Sequence, residues 1–431
     1  MANSFVFRLL CVYLALWPSV FGWMHITAQI PSNGMTNYYL VYSTSLLFAV
    51  GLFVGLISRD RSQPVSIEFG RWRWYALACF LVAALLGPWI SAPVPAYSYA
   101  RLLFLLPLIL SGFAAYIWFQ TLPEKNYVQV VLAFIAGMLL HAVVVLPFLQ
   151  PSIDLLDLDW TTGILPFYNI RRYTNYFAIG IPALTGVLIW LGNRQEMTHQ
   201  KNQGVTALAW LCLCLLWTLL FWTGSRAPTL AILCSFVTVI SIAPRYIWPI
   251  SRISVSSAAI GSVLSLFLPR PTGSFGFWSR MLDTRLYESV DRLGSNRVAV
   301  WSEAWRLFLE NPIFGNGHGQ FILQDSVPEH LRYQTPHNFP LEMLNDFGIL
   351  GGVAMIALVY VGIAKLALKA RTQNMPPLTL LCLLGLLTMT FQSLFDGNIT
   401  SFQATMPFAL FWAMTAASLR RKETLDQNRH A

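Results

Sequence analysis

Apolar residues recur in long, nearly unbroken runs along the 431-residue chain, and polar residues gather in the intervals between them. A bilayer core takes about twenty apolar residues in helix. On that length the runs predict about twelve spans, at 5–23, 38–58, 74–91, 101–121, 127–149, 175–192, 206–223, 227–243, 248–268, 347–368, 376–395 and 402–419. The narrowest break lies between the seventh and eighth, and the ninth carries Arg252 and several serines. The first run has no clear small-x-small cleavage site, so it is expected to remain as a span rather than leave as a signal peptide. Two polar intervals are long, 150–174 and 269–346. The expected fold is therefore all-α and polytopic. Residues 1–268 hold spans one to nine with a loop at 150–174, residues 269–346 form a long loop with short helices, and residues 347–431 hold spans ten to twelve with a short tail.

Within the long loop the period changes. Val298, Trp301, Trp305 and Leu309 recur at spacings of three and four, which predicts an amphipathic helix over 296–309. Ser295 can cap its first turn, and Pro312 with the glycines of 315–319 would end it. A tryptophan stripe on an otherwise polar helix predicts a position at the membrane surface.

Composition narrows the class. Hydrophobic residues make up 56% and charged residues 11%, against about 25% charged in soluble domains. That excludes a soluble enzyme and a disordered chain. The net charge of +9 would suggest nucleic acid in a soluble protein, but in a membrane protein it first suggests basic cytoplasmic loops. With the spans above, most of the 28 basic residues fall on the side of both termini, which assigns both termini to the cytoplasm. The basic residues on the opposite side are all arginines, and the lysines are all cytoplasmic. Arginine is the side chain suited to bidentate phosphate binding. The six cysteines all lie in apolar runs without zinc spacing, so reduced thiols are expected. His141 is the one ionisable residue near the middle of a span and reads best as a helix-packing group. No array of Asp, Glu or Lys lies inside the spans, which argues against an ion-coupled transporter or flippase.

Five clusters could carry chemistry. Arg226, in Thr223-Gly224-Ser225-Arg226-Ala227-Pro228, is either a phosphate clamp at a span mouth or an interfacial anchor. Arg297, after Ser295 and Asn296, adds a directed charge to a helix N-terminus and could hold an anion, or it could pair with Asp291 or Glu303. His337, in Pro336-His337-Asn338-Phe339, could act as a general base or hold a carbonyl, and nothing intrinsic ranks it above His318 or His330. Gly315–Gly319 reads as a turn rather than an anion nest. Asp157 and Asp159 form a DxD, a weak metal signal. Arg171 and Arg172 follow where lipid phosphates lie, as donor contacts or as general lipid anchors.

Three motifs, GSRA at 224–227, NRVAVWSEAWRLFLENPIFGNGHGQF at 296–321 and PHNFPLEMLNDFGILGG at 336–352, resemble the O-antigen ligase and polymerase superfamily in content and order. The resemblance covers about the second half of the chain. It implies glycan transfer from undecaprenyl pyrophosphate to lipid A–core in lipopolysaccharide biosynthesis, at the periplasmic face of the bacterial inner membrane. It implies no metal, cofactor or ATP. Carried over by motif, Arg226, Arg297 and His337 are the essential trio, with Arg171 and Arg172 as further contacts to the donor pyrophosphate. The chain departs from the family pattern at Asn345-Asp346, which leaves the roles of Glu342 and Asp346 open. Within the superfamily, a polymerase would use a second lipid-linked glycan as acceptor. A protein O-oligosaccharyltransferase would use Ser or Thr, and often has a soluble C-terminal region, so the short tail expected here favours the ligase.

Overall fold

The computed structural model describes residues 2–27, 35–59, 65, 70–153, 170–198, 203–268, 276–282, 297–328, 335–397, 399 and 402–430. Among them there is no strand, and the protein is an all-α, multi-pass membrane protein. In chain order the helices are α1 (Ala2–Thr27), α2 (Met35–Ile57), α3 (Arg71–Ser91), α4 (Pro95–Gln120), α5 (Glu124–Ile153), α6 (Ile170–Thr198), α7 (Gln203–Thr223), α8 (Arg226–Ile242), α9 (Ile247–Ser265), α10 (Phe277–Leu282), α11 (Arg297–Glu310), α12 (Phe339–Gly348), α13 (Ala354–Thr372), α14 (Pro377–Asp396) and α15 (Phe402–His430). A π-helical turn, Ile349–Val353, joins α12 to α13.

Eleven of the twelve predicted spans each fall on one of these helices, and the tenth, 347–368, runs over the end of α12, the π turn and α13. Among the described residues eight helices are long and apolar enough to cross a bilayer, with shorter apolar stretches at Asn3–Leu16, Leu46–Ile57 and Arg226–Ile242. The thin break between the seventh and eighth segments is real: α7 stops at Thr223 and α8 starts at Arg226. α11 starts within one residue of its expected position, while its expected cap, Ser295, lies outside the described residues.

α14 forms the centre of the bundle. It is apolar on every side, and a helix of that kind must be buried all round; Leu378–Thr390 are all buried. It packs on α6, α8, α12, α13 and α15. α6 approaches so closely that a Cβ on Gly186 would sit 2.4 Å from Leu381 Cα. Side-chain hydrogen bonds join these helices in the apolar interior, where small and polar residues hold neighbouring helices together. Thr388 donates to Ser235 of α8 at 3.0 Å, and Gln392 donates to Asn175 of α6. Pro377 starts α14, and Gly397, with φ +58°, ends it in the left-handed conformation.

Candidate functional site

The end of α14 at Asp396 gathers the singled-out side chains. Arg297, the first residue of α11, donates to the Asp396 carboxylate. The alternative the sequence left open for Arg297 was a pair with Asp291 or Glu303. Glu303 instead pairs with Arg306, three residues away on the same helix, and Asp291 lies outside the described residues. Both Arg297 and Asp396 retain some exposure, 17% and 11% of their side chains, so the pair borders open space.

His337 comes to the same end from α12. Asn338 caps α12 by accepting a hydrogen bond from the Leu341 N–H at 3.0 Å. Its amide donates to the Leu394 carbonyl of α14 at 2.9 Å. Those two bonds fix the start of α12 against the end of α14. His337, between Pro336 and this cap, takes φ +56°, a conformation uncommon outside glycine, though less so for His than for branched side chains. Gly397 makes the approach possible. A Cβ there would lie 3.1 Å from His337 Cα and 3.2 Å from Glu342 Oε2. Glu342, whose role the motif left open, is 1% exposed and lies one helical turn beyond the cap.

Arg226 reaches the same level by a third route. From the Thr388–Ser235 contact, α8 rises nine residues to Arg226 and α14 rises eight to Asp396, about 13.5 and 12 Å at 1.5 Å per residue. Arg226 is half-buried. Its turn is built on Gly224, with φ +65°, where a Cβ would meet the Gly276 carbonyl carbon at 2.6 Å. Ser225 accepts a hydrogen bond from Thr174 of α6 at 3.0 Å. Arg171 and Arg172 precede Thr174 in the first turn of α6, so their backbone stands beside the Arg226 turn; their side chains lie outside the described residues. Asp157, Asp159 and His330 also lie outside them.

His318 occupies a different place. It is wholly buried, and its Nδ1 is 2.8 Å from Asp346 of α12. The same carboxylate oxygen accepts the Gly319 N–H at 3.0 Å, and Asn345 donates to its partner oxygen at 3.3 Å. The ring stacks on Phe347 at 5.5 Å. Burial pushes this imidazole below the usual histidine range; its bond to Asp346 pulls upward, and the positive charge of Arg101 adds to the depression. The 315–319 turn is thus a buried latch onto α12, and Asp346 is its anchor. Arg101 is 6% exposed within α4, with its guanidinium over the Tyr97 ring. His141 is buried within α5.

Sequence reasoning missed Asp396. Its signal was faint: a lone carboxylate at the end of an apolar run, just before a glycine.

The arrangement brings two arginines, a histidine and two carboxylates to one end of a membrane bundle, suited to holding an oxyanion beside a proton acceptor. Among the described residues no group of three or more His, Cys, Asp and Glu could hold a metal ion.

Residues 210–356 match the family model described as O-antigen ligase. That stretch contains Arg226, Arg297 and His337 and stops before Asp396. A 160-residue stretch, 36% of the chain, is 31% identical to the teichuronic acid biosynthesis protein TuaE of Bacillus subtilis (strain 168). The match spans about a third of that protein's length, 32%. Residues 210–356, about a third of the chain, thus form a stretch similar to the O-antigen ligase family.

Proposed function

We propose that this protein is an O-antigen ligase, a membrane glycosyltransferase moving O-antigen polysaccharide from undecaprenyl pyrophosphate to lipid A–core. The observation that carries this reading is the gathering of Arg226, Arg297 and His337 at the Asp396 end of α14, from three separate stretches of chain. In this reading the site faces the periplasm, both termini are cytoplasmic, and the membrane is the bacterial inner membrane. The excess of basic residues on the side of both termini supports that orientation.

The acceptor hydroxyl oxygen attacks the anomeric carbon as the bond to the pyrophosphate oxygen breaks. Negative charge grows on that leaving oxygen. Arg226 and Arg297 stabilise it, since preorganised cations aimed at developing charge lower the barrier. Asp396 holds the Arg297 fork in one direction, and Arg171 and Arg172 add charge at the rim. His337 takes the hydroxyl proton. In-line attack opposite the pyrophosphate inverts the anomeric centre. The bond broken supplies the driving force, so no ATP enters and arginines do the work of a metal. Partners are the lipid-linked donor, the lipid A–core acceptor and membrane lipids; nucleic acid has no place here.

The match to a protein named for teichuronic acid biosynthesis favours a second reading, a polymerase that uses another lipid-linked glycan as acceptor. Deleting the gene and resolving the lipopolysaccharide on a gel separates the two. Loss of the long ladder with intact lipid A–core, and build-up of carrier-linked long glycan, is expected. Build-up of carrier-linked single repeats would indicate the polymerase. An unchanged ladder with loss of a glycosylated protein would indicate a protein oligosaccharyltransferase.

A further inference from the structure

Helix α11 has three faces rather than two. Val300, Ala304 and Leu307 are buried in a small core with Phe321 and Val327. Glu303, Arg306 and Glu310 form an ion-pair ladder on a second face. Val298, Trp305 and Leu309 share the third, at the 3.6-residue period, and are 43%, 47% and 58% exposed. One exposed face suits water, and the other does not.

Both ends of α11 are tied to span ends at one depth. Its first residue, Arg297, pairs with Asp396, the last residue of α14. Just beyond its other end, the Pro312 and Ile313 carbonyls accept the Ile349 and Leu350 N–H groups at 2.7 and 3.2 Å. The next carbonyl but one, of Gly315, accepts the hydroxyl of Ser91, the last residue of α3. α14 has 20 residues and α3 has 21, so each is about 30 Å long, one hydrocarbon thickness. The apolar stretch Phe339–Thr372 has 34 residues, but Gly348, at φ +63° and ψ −164°, breaks it, and only the rod after the break, Ile349–Thr372, runs on, about 36 Å long. Counting twenty residues back from Thr372 puts the edge near Val353, beside the π turn that holds Pro312 and Ile313. A helix pinned at both ends to this one level lies along it.

Further exposed apolar side chains stand at the span ends to which α11 is tied. Ile313, just past α11, is 61% exposed, and Ile349 and Val353 at the top of the rod are exposed as well. Leu86, Trp89 and Ile90 of α3 are exposed too, and Gly87 of that helix lies against the Phe314 carbonyl.

We infer that α11 lies flat in the membrane interface, with the Val298–Trp305–Leu309 face in contact with lipid chains and the Glu303–Arg306–Glu310 ladder toward water. The partner of this face is bilayer lipid, because α11 is tied to span ends of α3, α14 and the rod, whose own exposed side chains there, Trp89, Ile90, Ile349 and Val353, are apolar. Arg297 is then held at the depth of lipid phosphates. The inference needs the membrane fold and does not depend on glycan transfer.

The test uses the full chain in phosphatidylethanolamine and phosphatidylglycerol nanodiscs, with its six cysteines replaced and single spin labels introduced. Labels at Trp305→Cys and Leu309→Cys are compared with Arg306→Cys and Glu310→Cys, and with Trp89→Cys on α3 as the lipid reference. At 305 and 309, collisions with oxygen are expected to exceed those with a water-soluble nickel chelate, as at 89, with the ratio inverted at 306 and 310. Equal nickel access at 305, 309, 306 and 310 would place the stripe in water and overturn the inference. Shielding of 305 and 309 from both reagents would also overturn it, with spin–spin broadening identifying a second copy as the cover. If the cysteine-free chain fails to insert, a photoreactive phenylalanine derivative at position 305 of the native chain gives the same answer: lipid adducts support the inference, and protein adducts overturn it. Neither readout needs turnover, so its failure leaves the transfer reading to its own test.

Discussion

Asp396 accepts a hydrogen bond from Arg297 across 99 residues of sequence, joining the last residue of the central helix to the first residue of a surface helix. The carboxylate leaves the arginine charged while limiting where its fork can point. Arg297 and Arg226 are expected to grip the leaving pyrophosphate, and Lys cannot replace the fork. Arg226→Lys and Arg297→Lys should each lower transfer by about 10²-fold or more, the cost of one misplaced transition-state donor. Asp396→Asn should lose less than Arg297→Lys, because it loosens the guanidinium without removing it. Transfer rates of purified variants at matched insertion check this, and near wild-type rates for both Lys variants would remove the clamp.

His337 should split binding from chemistry. His337→Ala is expected to lower transfer by about 10²–10⁴-fold, the usual contribution of a general base, while binding of the carrier-linked donor stays measurable. Since the neutral imidazole is the base, the wild-type rate should fall as pH drops through the range in which His337 protonates. A variant that loses donor binding but keeps the wild-type pH profile in its residual rate would make His337 a phosphate contact instead.

Full activity is expected in EDTA, with Asp157→Asn and Asp159→Asn harmless, because arginine charge stands where other transferases place a metal. Purified protein, carrier-linked glycan and lipid A–core suffice. Loss of turnover restored by Mg²⁺ or Mn²⁺ would revive the DxD pair as a metal site.

His318 should govern acid stability rather than catalysis. Its folded pKa is depressed, first by burial. Between that value and the ordinary histidine range the unfolded chain binds a proton that the folded chain does not. Stability is therefore full above the ordinary range and declines as pH falls through it, until the folded imidazole also protonates. Thermal melts should show the wild type losing stability on acidification, and His318→Gln, less stable at neutral pH, should lose less on acidification. His318→Ala leaves the buried Asp346 short of a partner, which costs about 1–3 kcal/mol or more for a charged group. Parallel melting curves for wild type and His318→Gln across that pH range would show that another group sets the acid response.

Much of this protein was legible before its fold. Apolar runs of span length must form helices, because hydrocarbon offers the backbone no other partner, and all the expected spans fall on helices. The α11 stripe was equally readable, since it rests on residues three and four apart. What only the tertiary structure decided were the partnerships across long separations. Local spacing offered Arg297 a partner in Glu303, six residues away, but Arg306 takes that carboxylate at spacing three. Arg297 is left to Asp396 at the end of α14. The two histidines also separated only in three dimensions. His318 is enclosed because the 315–319 turn docks on Asp346, 28 residues on, whereas His337 keeps partial exposure at the start of α12. A pattern along the chain reports which face of a helix is apolar. It carries no measure of which distant charge that face will meet, because burial and ion pairing depend on how the helices stack.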